Sequence, residues 1–351
     1  VKTLRLKIDP NGLETPEARE ALERAAEILR GGGLVALPTE TVYGLGANAL
    51  DCSAVERIFE AKARPKWDPI IVHVASQAML DELVEETPET ARRLMEAFWP
   101  GPLTLLLKRT RAVPDVVTAG RSLVGVRMPA HPVALELIRR AGVPVAAPSA
   151  NRFGHVSPTT AEHVLDDLDG RIDAVLDAGP TLHGLESTVL DPTTNPMTIY
   201  RPGALTAEQI AQIAGPVEVF KSREQLQETP TEALPSPGVG VKHYAPRARL
   251  VLVEARGDEL GAQMAVAASL ESGERVGVML PQGLPALEKV DGAEIFAWGS
   301  WDAPETLAHE LYAGLRALDA AGCAVIVCPL PPAEGIGAAI RDRLLKAASS
   351  S

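Results

Sequence analysis

TPEAREALERAAEILRGGGLVALPTETVYGLGA, residues 15–47, passes from a helical pattern into a buried strand and then into a polar turn. Leu22, Ala25, Ala26 and Leu29 recur at helical spacing on one stripe of a helix expected over residues 15–30. Gly31, Gly32 and Gly33 end it. The apolar run Leu34 to Leu37 then reads as a buried strand, and Pro38 stops its ladder. A helix feeding directly into a buried strand calls for layered α/β packing.

Outward from this stretch the same alternation continues. Further strands are expected over residues 70–74, 103–108, 123–128, 143–147, 174–177, 188–191 and 197–200, with helical patterns between many of them. Residues 12–205 therefore read as one α/β domain built on a mixed sheet. From Gly215 to Pro246 the periodicity fades into a segment rich in Pro and polar residues, so residues 206–247 read as a connecting segment and linker. Beyond it RLVLVEA, RVGVML, AEIFAW and CAVIVCPL alternate with helical patterns over 257–271, 304–321 and 335–348. Residues 248–347 thus form a smaller open α/β, Rossmann-like domain.

Composition agrees with two such domains. The 351 residues are 46% hydrophobic but only 4% aromatic, so the cores must be built from Ala, Val, Leu and Ile. A formal net charge of -12 argues against a broad basic face for nucleic acid, and any phosphate ligand needs a local cationic pocket. Cys52, Cys323 and Cys328 have neither CxxC spacing nor an even count, which favours reduced thiols over a zinc site or disulfides. VKTLRLKIDP has no apolar signal region, and no run reaches the length of a membrane helix, so a soluble cytoplasmic protein is expected.

Neither a GxxxxGK[ST] loop nor a complete dinucleotide fingerprint is present, so a nucleotide site must be assembled from other segments. Thr39, Glu40, Thr41 and Tyr43 bring hydroxyls and a carboxylate to the turn after Leu37, either to orient a small polar ligand or to cap local backbone. Lys62 and Arg64 suit a polyphosphate, or are a solvated pair on a helix end. His73, within IIVHV, reads from the residues alone as a satisfied core histidine. Arg127 lies in the apolar run SLVGVRMP and needs an anion, either an internal carboxylate or that of a substrate. Ser149 and Asn151 sit where a strand ends, ahead of a helix start expected to be capped by Ser157 or Thr159, and together they offer a phosphate cradle or simple turn chemistry. Ser187, Thr188 and Arg201 join them at strand ends, with Arg201 expected to be exposed or ligand-facing. Glu40, Asp68 and Glu186 are possible carboxylates beside a magnesium-bound nucleotide, and nothing in the spacing selects among them.

Taken in order, PTETVYGLG, KARPKWDPIIVHV, FWPGPLTLLLKR, VRMPAHP, APSANRFGHVSPT, GLESTVLD and YRPGA resemble the YrdC/Sua5 family, and the likeness spans the whole chain in the long, two-domain Sua5 form. The resemblance implies synthesis of threonylcarbamoyl adenylate and pyrophosphate from L-threonine, bicarbonate and ATP, with the product passing to the tRNA threonylcarbamoyl transferase machinery for t6A37. It implies Lys62 and Arg64 as catalytic cations. Thr41, His73, Arg127, Ala147 and Ser187 fall on threonine positions. Arg64, Asp68, Leu123, Ser149, Asn151, Ser157, Arg201 and Tyr244 fall on ATP positions. Mg2+ is expected with ATP, its protein ligands are unspecified, and no organic cofactor, stable nucleic-acid contact or membrane contact is expected.

Two departures from the family pattern matter. Asp68 stands where relatives commonly carry Asn, so its carboxylate is expected to face the metal or the ribose. In the linker SPGVGVKHYAP, Gly240 and Val241 replace a bulkier pair, while Tyr244 keeps the linker tyrosine expected to reach ATP as part of a lid. The alternative reading is an RNA-binding module of the same fold without adenylation activity, which the acidic charge disfavours.

Overall fold

In the computed structural model, the described residues are 2–220, 244–255, 258–270, 273–282 and 292–349, with Leu234, Ser236, Gly238 and Val239. The chain falls into two compact units, the first reaching residue 240 and the second containing the chain beyond it, together with 154–156 and 183–185. The replaced linker positions Gly240 and Val241 lie outside the described residues.

The strands of the first unit are β1 (Leu4–Lys7), β2 (Val35–Leu37), β3 (Gly44–Asn48), β4 (Ile71–His73), β5 (Leu103–Lys108), β6 (Leu123–Arg127), β7 (Val145–Ala146), β8 (Ala174–Asp177), β9 (Thr188–Asp191), β10 (Met197–Arg201) and β11 (Val217–Val219). They form an 11-stranded mixed sheet in the order β1-β8-β2-β3-β7-β4-β6-β5-β9-β10-β11. Its helices are α1 (Pro16–Arg30), α2 (Cys52–Lys62), α3 (Gln77–Leu83), α4 (Glu89–Phe98), α5 (Asp115–Thr118), α6 (Pro132–Ala141), α7 (Ala161–Leu168) and α8 (Ala207–Ala214).

Helix α1 forms as its spacing predicts. The Thr15 side chain accepts from the Ala18 amide, Pro16 opens the first turn, and the apolar stripe packs with α6 in a core that also holds Val35, Leu37, Val145 and Leu176. Leu22 and Leu29 are fully buried there, each contributing about 2 kcal/mol of transfer free energy. A larger core on α2, α4, α7 and α8 covers the remainder.

Two expectations change here. GLGAN, read as a turn, is strand β3, because Gly46 packs so closely that a Cβ would stand 2.9 Å from both Leu37 Cδ2 and Val145 Cγ1. The helix after Ser157 starts later, with Thr160 as its cap accepting from the His163 amide. The connecting segment after 205 is ordered at its start: α8 carries a Thr206/Gln209 capping box, Ile210 is buried in the large core, and β11 pairs in parallel with β10.

The second unit holds four parallel strands, β12 (Arg249–Val253), β13 (Val276–Gln282), β14 (Glu294–Ser300) and β15 (Val325–Pro329), in the order β12-β15-β13-β14. Helix α9 (Asp258–Leu270) crosses from β12 to β13 and α10 (Pro304–Ala320) from β14 to β15, as parallel strands require, while α11 (Ile336–Ala348) follows the last strand. No helix among the described residues is long and apolar enough to cross a membrane.

Candidate active site

Strand directions bring His73, Arg127, the start of β5, Ser187 and Arg201 of the first unit to one edge of the sheet. His73 ends β4, directly opposite Arg127 at the end of β6 and Val145 on β7. Strand β5 runs antiparallel to β6 and parallel to β9, so the start of β5 and Ser187, just before β9, lie on that same edge. Arg201 ends β10, antiparallel to β9, and the turn Thr39 to Thr41 follows β2. β7 runs antiparallel to β4, so Ala147 leaves the sheet at the other edge, donating its amide to Ile71 O at 2.9 Å, and Ser149 bridges to Gly44. Open α/β sheets bind ligands at such strand ends.

Arg127 has found an internal anion. Its Nη2 lies 2.6 Å from Glu40 Oε1, its Nη1 donates to Thr41 Oγ1 at 3.0 Å and its Nε to Gly101 O at 3.1 Å. The pair is almost wholly buried, at 4% and 5% side-chain exposure. Burial is the largest influence on the Glu40 carboxyl and would raise it, but the Arg127 charge together with hydrogen bonds from Arg127 and the backbone holds the group below its ordinary range. His73, beside them, is pushed down to about 3 by burial first and by the Arg127 charge second, so its imidazole is neutral near pH 7.

Lys62 ends α2 and is fully buried, its ammonium donating to Ser149 O at 2.5 Å and to Asn151 O. Burial, followed by the Arg64 charge, lowers its pKa well below that of an ordinary lysine. Arg64 donates to the carbonyls of Asp68 and Pro69 at 3.2 and 2.7 Å, and its Nη2 pairs with Asp68 Oδ2 at 3.0 Å. The solvated-pair reading of Lys62 and Arg64 is therefore overturned: both cations are built into the loop framework. Asp68 faces Arg64.

Ser187 sits between two partners. Its hydroxyl lies 2.8 Å from Thr104 Oγ1 and 3.1 Å from Arg201 Nη2, while Arg201 also donates through Nε and Nη2 to Ser187 O. Arg201 is buried, so the exposed alternative is removed. Ser157 donates to Glu186 Oε1 at 2.6 Å.

This arrangement has known counterparts. A family model described as "Telomere recombination", for Sua5, YciO and YrdC proteins, matches residues 27–203, and one described as "Threonylcarbamoyl-AMP synthase, C-terminal domain" matches residues 205–349. The chain belongs to the Sua5/YrdC family. It is 43% identical to a threonylcarbamoyl-AMP synthase of Pyrococcus abyssi, over 92% of each chain. It is 44% identical to one of Bacillus subtilis, over 93% of this chain and 92% of that one. The crystal structure of P. abyssi Sua5 complexed with L-threonine superposes with a TM-score of 0.88, at 40% identity, over 100% of this chain and 98% of that one.

Two further residues of the Sua5/YrdC pattern have surroundings of their own. Leu123 starts β6, at the opposite end from Arg127, and shares its face of the strand. It packs on a small apolar group formed by Ile71, Leu106 and Val189. Tyr244 belongs to the second unit, where its ring stacks on Tyr312 with centroids 5.9 Å apart and lies under the Arg343 guanidinium at 4.9 Å. Sequence reasoning missed Thr104 and His131. Thr104 looks like an ordinary strand residue, and His131 looks like the residue before a helix-opening Pro132. Among the described residues no group of three or more His, Cys, Asp or Glu side chains could hold a metal ion.

Proposed function

We propose that this chain is a threonylcarbamoyl-AMP synthase, making L-threonylcarbamoyladenylate and pyrophosphate from L-threonine, bicarbonate and ATP. The observation that carries this reading is the near full-length match to relatives of that name, supported by His73, Arg127, Ser187 and Arg201 at one sheet edge. Carbamate forms on the threonine amine, and a carbamate oxygen then attacks the α-phosphate as pyrophosphate leaves. Catalysis rests on positioning and on stabilising phosphate charge.

In this reading Thr41, His73, Arg127, Ala147 and Ser187 receive threonine, with Arg127 dividing its fork between Glu40 and the substrate carboxylate. Arg64, Asp68, Leu123, Ser149, Asn151, Ser157, Arg201 and Tyr244 serve ATP. Lys62 acts by fixing the Ser149 and Asn151 backbone that faces the phosphates. Magnesium enters as the companion of ATP and neutralises phosphate charge. The product serves tRNA t6A37 modification in the cytoplasm, handed to a transferase machinery.

The test incubates the protein with ATP, magnesium, threonine and labelled bicarbonate. A labelled adenylate formed with one equivalent of pyrophosphate is expected, and weaker turnover with serine would report the threonine methyl. Salt-dependent RNA binding with no adenylate formed would replace this reading with that of a binding module.

A further inference from the structure

Buried polar atoms converge beside Arg127: Glu40 Oε1 pairs with Arg127 Nη2 at 2.6 Å, while Glu40 Oε2 and Nδ1 of His73 and of His131 have no well-aligned hydrogen bond among the described residues. They come from the turn after β2, the end of β4, the end of β6 and the residue preceding α6. Native interiors leave few such atoms unsatisfied, and a cluster of them marks a place completed by something else. Glu40 and Arg127 together carry no net charge, as does an amino-acid zwitterion. Its carboxylate matches the Arg127 fork, and its ammonium then faces Glu40.

We propose that Glu40 is the general base that takes a proton from the amino group of the bound threonine, an assignment that rests on the synthase reading above. Burial is the largest influence on this carboxyl and works to raise it; the Arg127 charge reverses that, helped by hydrogen bonding from Arg127 and by backbone contacts that include Ala130. A substrate carboxylate that shares Arg127 weakens the hold, and burial then turns Glu40 into a stronger base. The other titratable groups facing it are His73 and His131, both shifted down by burial, so neither supplies a replacement positive charge.

The step balances. One N–H bond of the ammonium breaks, the proton goes to Glu40 and the electron pair stays on nitrogen. The amine attacks the bicarbonate carbon, an N–C bond forms, and the bicarbonate hydroxyl leaves as water with a second nitrogen proton. Glu40 later returns its proton to solvent.

Initial rates of pyrophosphate release, measured between pH 6 and 9 with saturating ATP, magnesium and bicarbonate, test this in wild type and Glu40→Gln. At pH 7 the variant is expected to lose about 100-fold or more in kcat/KM for threonine. That deficit should shrink by about tenfold per pH unit as the substrate amine loses its proton unaided. An unchanged kcat/KM, or a loss of equal size at every pH, overturns the assignment. Should Glu40→Gln fail to fold by circular dichroism, Glu40→Asp serves in its place. It should keep the wild-type pH profile at a lower rate, and a profile that climbs tenfold per unit overturns the proposal. Lack of adenylate from the wild type would be a failure of the synthase reading, whereas wild-type turnover with a pH-independent Gln deficit is a failure of Glu40 alone.

Discussion

The ammonium of Lys62 lies 2.5 Å from the carbonyl oxygen of Ser149 and also holds that of Asn151. A lysine from the end of α2 therefore staples the loop that follows β7, 87 residues further along the chain. Lys62→Met keeps the length of the side chain and removes its donors, stranding two carbonyls. We expect a loss of about 3 kcal/mol in unfolding free energy, together with a raised KM for ATP, measured by urea denaturation and pyrophosphate release. Full stability combined with lost turnover would show that the ammonium acts on substrate rather than through the loop.

Asp68 and Arg64 form a second buried pair, at 0% and 5% side-chain exposure. Where Arg64 serves ATP as proposed, the carboxylate cancels charge that the nucleotide would otherwise feel. Asp68→Asn keeps an acceptor but removes that charge, so stability should fall by about 2 kcal/mol while the KM for ATP drops several-fold. The two effects have opposite signs in one variant. A KM that rises would mean that Asp68 itself meets the nucleotide.

His73 predicts an acid limb. Its folded pKa of about 3 lies below the ordinary 6.5, so between those values the unfolded chain binds more protons and stability falls as pH falls. Glu40, also depressed, adds its loss only as pH drops through and below its ordinary 4.5. Between pH 6.5 and 5 His73 should therefore cost about 1.5 kcal/mol, and His73→Gln should remove that slope. Urea midpoints at the two pH values check it, and identical slopes in both proteins would contradict the buried neutral imidazole.

How far the site could be read from sequence depends on the range of each interaction. Arg127 announced its need for an anion because a guanidinium in an apolar strand has to be paired, but two candidate partners stayed open. The choice of Glu40 depends on the turn after β2 reaching the Arg127 side chain at the end of β6, a tertiary contact 86 residues apart between Thr41 and Arg127. Local patterns gave β5, β8 and β9 at their observed limits. They failed at β3, where glycines signal turns but serve close packing, and at β11, a short edge strand of two exposed residues with one half-buried. The burial of Lys62 was equally hidden, since KxR spacing carries no information about depth.

Tyr244 has a backbone φ of 65°, a left-handed conformation that side chains beyond glycine adopt at a cost. What holds it there is packing within the second unit: only 4% of the residue is exposed, Tyr312 stacks on the ring at an interplanar angle of 18°, and Arg343 covers the ring. Tyr244→Ala loses the ring contacts and keeps the strain, and should destabilise by about 3 kcal/mol. Tyr244→Gly loses the same contacts but relieves the strain, so it should be more stable than the alanine variant by about 1 kcal/mol. Urea unfolding followed by circular dichroism ranks the two, and a glycine variant weaker than alanine would remove backbone strain from the account. Tyr244→Phe separates packing from ligand binding, because it keeps the stacked ring and removes only the hydroxyl. A rise in the KM for ATP without a change in stability would then be the signature of a hydroxyl that meets the nucleotide.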